Sequence, residues 1–340
     1  MRSLKFSRLM AAAAAASVAT AVAVADAAWA QGAHADGASG TLGDRGLLGA
    51  AGAAHGISQG LVVFLVGLVV FVALVWLPAS RSTGMSRDVG RLFGRGIWVV
   101  FGALVVVGLV EISLFAVRAS GESFSAGLFF QALFDTRTGR IWLARLALGL
   151  LVALAATWAA RGRGVRRWWG AAGVGGVLLV TLAQQSHAAT EGGFLPLLAA
   201  WLHVVAAALW MGGLLGFPML LLGPLRMMNS EEQSKLRRAA VRRFSKVATI
   251  AVMVILVTGL YATLLNVPSF EALIGSPYGR ALIMKLGLIV FLLATGGINL
   301  IDKGDGPFER MVGAELVLAI AIFVAAGFLT SLPPPGYAAP

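Results

Sequence analysis

The residues able to do chemistry in this chain are few. Among 340 residues there is no cysteine, and the four histidines are His34, His55, His187 and His203. Without thiols there is no disulfide scaffold, thiolate metal site, iron–sulfur cluster or cysteine nucleophile, which leaves imidazole, thioether and carboxylate as metal ligands. No Ser/His/Asp set, phosphate loop or HExxH motif is present, so the chain is read as a non-enzyme. The most suggestive group is His187 and His203, with Gln184, Gln185 and Ser186 beside the first and Trp210 and Met211 beyond the second. Methionine is first a gap filler. Yet Met211, Met219, Met227, Met228, Met253, Met284 and Met311 all lie in the second half, against Met85 alone in the mature first half. Imidazoles with thioethers select copper, Cu(I) ahead of Cu(II), over zinc, magnesium or calcium.

These residues sit in a chain that cannot be a soluble globule. Hydrophobic residues make up 59%, charged residues 12%, and the mean hydropathy is +0.86. A soluble domain carries about 25% charge, so most of this surface must face lipid or other apolar helices. Residues 1–30 read as a secretory signal peptide: Arg2, Lys5 and Arg8 precede an Ala- and Val-rich stretch, and Ala28-Trp29-Ala30 offers a small-x-small cleavage site. Residues 31–56, rich in Gly, Ala and Ser, are expected to form a flexible extracytoplasmic tail. Eight apolar runs follow, at about 57–79, 96–117, 141–160, 168–189, 197–222, 247–267, 281–300 and 311–332, then a tail at 333–340. Each run has roughly the 20 residues that cross a hydrocarbon core about 30 Å thick.

Charge orients the runs. Loops of one parity hold most of the Lys and Arg, including Arg91, Arg95, Arg166, Arg167, Arg242 and Arg243, whereas the other side holds only Arg45, Arg118, Arg137, Arg140 and Arg280 after the signal. The positive-inside rule then puts both mature termini outside the cytoplasmic membrane. The net charge of +12 becomes an orientation signal and a set of headgroup contacts with the lipid bilayer, with no nucleic acid implied. Trp76, Trp98, Trp158, Trp168 and Trp169 fall at expected inner boundaries and Trp142 and Trp201 near outer ones, while Trp210 lies near mid-membrane. Ionisable residues within the spans are functional candidates by default. Glu111, Arg145, Lys285 and His203 all lie in outer portions of their spans, and His187 ends the fourth. His187 and His203 flank a short connection, so the fourth and fifth spans should be antiparallel neighbours with both imidazoles at similar depth, a geometry suited to a metal. Glu111 and Arg145 can equally form a structural ion pair. Ala208, Gly212 and Gly216 make a small-xxx-small stripe for close helix approach.

An internal repeat is visible. Thr136-Arg137-Thr138-Gly139-Arg140 with Arg145-Leu146 recurs as Ser276-Pro277-Tyr278-Gly279-Arg280 with Lys285-Leu286, and Pro78 corresponds to Pro218. The fold expected is therefore an all-α polytopic membrane protein of eight transmembrane helices, arranged as two parallel four-helix repeats over 57–189 and 197–332.

The string Trp201-Leu202-His203-Val204-Val205-Ala206-Ala207-Ala208-Leu209-Trp210-Met211-Gly212-Gly213 resembles the CopD-type copper resistance family of inner-membrane proteins, as do Arg242-Arg243-Phe244-Ser245, Thr258-Gly259-Leu260-Tyr261, Tyr278-Gly279-Arg280 and Ser186-His187-Ala188-Ala189. The resemblance implies a permease-like protein that takes copper across the cytoplasmic membrane, often with a small CopC-type extracytoplasmic carrier, which here would be a separate chain. The expected copper ligands are His187 and His203, with Met211 and then His55 or Glu111 nearby. Two other readings stay open: a b-type haem electron carrier using His187 and His203 as axial ligands, and a non-transporting copper sensor or assembly partner. The orientation is testable. An alkaline phosphatase fused after Pro340, folding only where disulfides form, should be active, and the same fusion within residues 231–246 should be inactive.

Overall fold

In hydrocarbon each backbone N–H and C=O must be satisfied within its own segment, so apolar runs of this length fold as helices. The computed structural model describes residues 42–80, 86–162, 164–186, 193–222, 225, 229–301, 308–332 and 334–335, and the regular elements among them are all helical. In chain order these are α1 (Leu42–Phe71), a π-helical stretch (Val72–Trp76) leading into α2 (Leu77–Ala79), α3 (Ser86–Ser120), α4 (Ala126–Asp135), α5 (Arg137–Arg161), α6 (Val165–Ala183), α7 (Phe194–Leu222), α8 (Ser230–Asn266), α9 (Phe270–Gly275), α10 (Pro277–Ile301) and α11 (Phe308–Ser331). Each of the eight apolar runs coincides, over most of its length, with a helix among the described residues. Six of these, Gly46–Ala79, Val89–Ser120, Arg137–Arg161, Phe194–Leu221, Glu231–Asn266 and Pro277–Ala294, are long and apolar enough to cross a membrane. In α6 the first turn carries Arg166 and Arg167, and the apolar part of α11, Glu315–Thr330, is shorter.

The bundle is organised around α1. It packs against α3, α6, α7 and α11, and 78% of its apolar window is buried, against 17% for α8 and 28% for α3. The helices around it turn large apolar side chains outward, among them Val99, Val257, Leu264, Val290 and Phe291. Outward apolar faces on this scale suit lipid, not water. The approach of α7 to α1 uses the stripe expected from sequence: a side chain at Gly212 would run into Gly67, one at Gly67 would lie 2.7 Å from the Ala208 carbonyl, and Gly216 meets the ring of Phe71. Backbones this close are held by dispersion alone.

Two expectations need correction. Residues 42–56 are not a flexible tail but the first turns of α1, because Gly52 and Gly56 pack directly on α11 at Phe328 and Phe323 and His55 is tied to α3. Trp76 is not at a water interface: it is fully buried in the π-helical stretch. Proline at position 78 cannot donate and its ring would press on the carbonyl four residues back, and the preceding turn is widened, with Leu77 N–H bonding Val72 O. The signal segment, residues 1–30, and the start of the expected tail, residues 31–41, lie outside the described residues.

Short helices α4 and α9 lie between the apolar runs. Each starts on a serine cap, Ser125 accepting from Leu128 N at 3.3 Å and Ser269 from Ala272 N at 3.1 Å. Each hands over to a long helix through a hydroxyl that accepts from a glycine N–H, Thr136 from Gly139 at 3.0 Å and Ser276 from Gly279 at 2.9 Å. Any side chain at Gly139 would meet the Leu133 carbonyl, and one at Gly279 the Leu273 carbonyl. The sequence repeat therefore encodes the same helix–cap–helix corner twice. Overpacking the α1–α7 contact tests the central role of α1: Gly67→Val should lower stability by at least about 2 kcal/mol, read as a lowered thermal midpoint in detergent.

Candidate functional site

The ends of α1, α3, α5, α6 and α11 converge on a cavity of about 360 Å³. Its walls include His55, Glu111, Arg118, Arg137, Gln185 and Thr330. On its floor His55 Nδ1 lies 2.7 Å from Glu111 Oε1. A carboxylate only accepts, so the imidazole N–H donates here. The Gln59 amide, 2.9 Å from His55 Nε2, donates to the other ring nitrogen. Both ring nitrogens thus have partners, Glu111 at Nδ1 and Gln59 at Nε2. A carboxylate behind a histidine is the arrangement that orients an imidazole toward a metal. Rotation of Gln59 would release Nε2 to one.

Beneath this pair is Arg145, wholly buried on α5. An arginine there must find partners from every side. Its Nη1 lies 3.9 Å from Glu111 Oε2 and donates to Ser58 Oγ at 3.3 Å; its Nε donates to Thr181 Oγ1 at 3.4 Å; its Nη2 donates to Gln185 Oε1. Ser58 comes from α1, Glu111 from α3 and Thr181 from α6, so one guanidinium ties three neighbouring helices to α5. The ion pair anticipated between Glu111 and Arg145 is present. Among the described residues no donor completes a hydrogen bond to the buried Glu111 Oε2.

The second half places its histidine differently. His203, on α7, lies with Nδ1 2.9 Å from Thr258 Oγ1 of α8. The Thr258 hydroxyl donates to Val254 O at 2.6 Å, so it accepts from His203 Nδ1. His203 and Met211 are not among the described walls of the His55 cavity. Met211 is buried in the aliphatic core, and Trp210 packs beside Ala206, Ala251 and Ile255. Trp210 packs toward α8 and Met211 toward the core. His187 lies outside the described residues, and with it the His187–His203 pairing expected from sequence. Among the described residues no three His, Asp or Glu side chains gather as a metal cluster. Sequence reading ranked His55 and Glu111 below the other pair because they are 56 positions apart on helices whose contact no local pattern reveals. It also missed Ser58, Gln59 and Thr181, ordinary polar residues that gain meaning only from Arg145.

A helical membrane bundle with a buried Arg–Glu–His network at one end is thus defined on its own geometry. The family described as Copper resistance protein D-like, N-terminal domain, matches residues 47–197, and Copper resistance protein D matches residues 238–329. The chain is 30% identical over 278 residues to copper transport protein CutJ of Bacillus subtilis (strain 168), an alignment covering 80% of this chain and 50% of that protein. It spans about half the length of this curated relative. No solved structure matches the chain. The chain belongs to the copper resistance protein D family.

The Arg145 network makes a stability prediction. Arg145→Gln strands Glu111 and should cost about 3–5 kcal/mol. Arg145→Gln combined with Glu111→Gln should recover a large part of that loss, because no lone charge is left buried. Thermal unfolding of the single and double variants in detergent measures the recovery.

Proposed function

We propose that this protein accepts copper at the His55–Glu111 cavity from the extracytoplasmic side and passes it inward through the bundle. The observation that carries the proposal is the His55–Glu111 pair at 2.7 Å on the floor of a cavity, in a member of a copper resistance family. His55 Nε2 is the first ligand, and Glu111, oriented behind the ring, supplies negative charge beside it. Arg145 already offsets Glu111, so Cu(I) adds less charge to the apolar interior than Cu(II), and the monovalent ion is the better cargo. His203 serves as a separate imidazole station in the second half, and His187 remains a candidate partner for it.

The wider architecture follows the same reading. Two repeats of four spans, 57–189 and 197–332, place the matching corners at Thr136 and Ser276 on one membrane face. That face is the extracytoplasmic one by the loop-charge asymmetry. A CopC-type carrier, if it takes part, docks there as a separate chain. The reading is tested with purified protein and with cells. His55→Ala and Glu111→Gln should each weaken Cu(I) binding at least about tenfold and lower copper accumulation toward that of cells lacking the protein, while His203→Ala should lower accumulation with His55 binding retained. Unchanged Cu(I) binding in His55→Ala would remove the cavity from the pathway.

A further inference from the structure

At the opposite end of the bundle a second cavity, of about 540 Å³, lies between Leu74 and α8, lined by Ala239, Arg242, Arg243, Lys246 and Val247. The volume falls within the range of about 300–1,000 Å³ that small-ligand pockets occupy. The α8 residues are spaced three and four apart, so they form one face of that helix, and the face points at the π-helical stretch of α1. Among the described residues no hydrogen bond or ion pair engages Arg242, Arg243 or Lys246. Their neighbours one and two turns earlier differ: Lys235 is 2.6 Å from Glu231 and Arg238 donates to Ser234 at 3.1 Å.

Why the groove stays open follows from the packing. Phe244, on the adjoining face of α8, is locked into an aromatic cluster with Phe71 and Phe217 at centroid distances of 6.4 and 5.4 Å. That contact fixes the rotation of α8 and leaves the 239–242–243–246–247 face turned toward the widened turn ahead of Pro78. The cations stand where α8 passes from its charged first third into the apolar run starting at 247. This is headgroup depth, with Leu74, Ala239 and Val247 providing an apolar wall below it.

We propose that this groove is a binding site for one anionic phospholipid, its phosphate held by Arg242, Arg243 and Lys246 and its glycerol and upper acyl chain lying on Leu74 and Val247. Diffuse attraction of a basic loop to an anionic surface needs neither a cavity nor a defined helix face; this site has both. A free phosphate would use the same cations but leave the apolar wall uncovered.

The test is native mass spectrometry of the full chain released from bilayer discs of equal parts phosphatidylglycerol and phosphatidylcholine. The wild type should retain phosphatidylglycerol over phosphatidylcholine. Each cation removed should cost about fivefold in retention, so R242Q/R243Q should lose on the order of twentyfold. K235Q/R238Q, with the same loss of charge on the same helix but outside the groove, should stay near wild type. Leu74→Trp fills the apolar wall with every cation kept and should also reduce retention, which keeps the proposal falsifiable if R242Q/R243Q does not fold. Equal retention of the two lipids, equal losses in the two double variants, full retention in Leu74→Trp, or displacement of the lipid by millimolar inorganic phosphate would each overturn it.

Discussion

The structure depends on the burial of one guanidinium. Arg145 is fully enclosed in a bundle otherwise lined by aliphatic and aromatic side chains, and an unpartnered cation in that setting would cost several kcal/mol. Its partners must arrive from α1, α3 and α6 at once, so the positions of Ser58, Glu111 and Thr181 are set relative to one another by a single charge. Dispersion packing in a membrane is permissive about helix rotation, because lipid is as apolar as leucine. A polar network is not permissive. It chooses which face of each helix turns inward, and by fixing Glu111 it also fixes His55 above it.

The second constraint is the closeness of α1 to its neighbours. Gly67 against Gly212, and Gly52 and Gly56 against the Phe328 and Phe323 region of α11, let α1 serve as the common axis for helices from both halves of the chain. Its extension back to Leu42 carries His55 into the bundle. The expected tail is therefore where the candidate site begins, which accounts for a histidine that seemed peripheral lying on the cavity floor.

The two halves use the same corner and diverge in their polar interiors. The helix–cap–helix corner at Thr136 and Gly139 recurs at Ser276 and Gly279 with closely similar hydrogen bonds. Past the corner, Arg145 of α5 anchors a network of four partners, while the imidazole of the second half, His203, is paired with a neutral hydroxyl. Shared corners hold the ends of the helices in register. The polar interior is where the halves differ, an Arg–Glu–His network in one and a histidine bonded to a threonine hydroxyl in the other.

Composition and periodicity alone determined that the chain is a helical membrane protein, where its apolar runs lie, that Ala208, Gly212 and Gly216 would meet another helix, and that Glu111 and Arg145 were candidates for a pair. These are local properties: hydropathy is summed over a window, and a helix face follows from 3.6 residues per turn. The family resemblance was equally legible, because it rests on contiguous strings such as that around His203. What only the tertiary structure decided is which helices are neighbours. That put His55 on Glu111, gave Arg145 its partners Ser58, Thr181 and Gln185, turned Met211 into the aliphatic core, and set Arg242, Arg243 and Lys246 on a groove beside Leu74. Long-range pairing in an apolar bundle is set by a few close contacts and a buried polar network, and a sequence pattern carries no record of which distant face those contacts select.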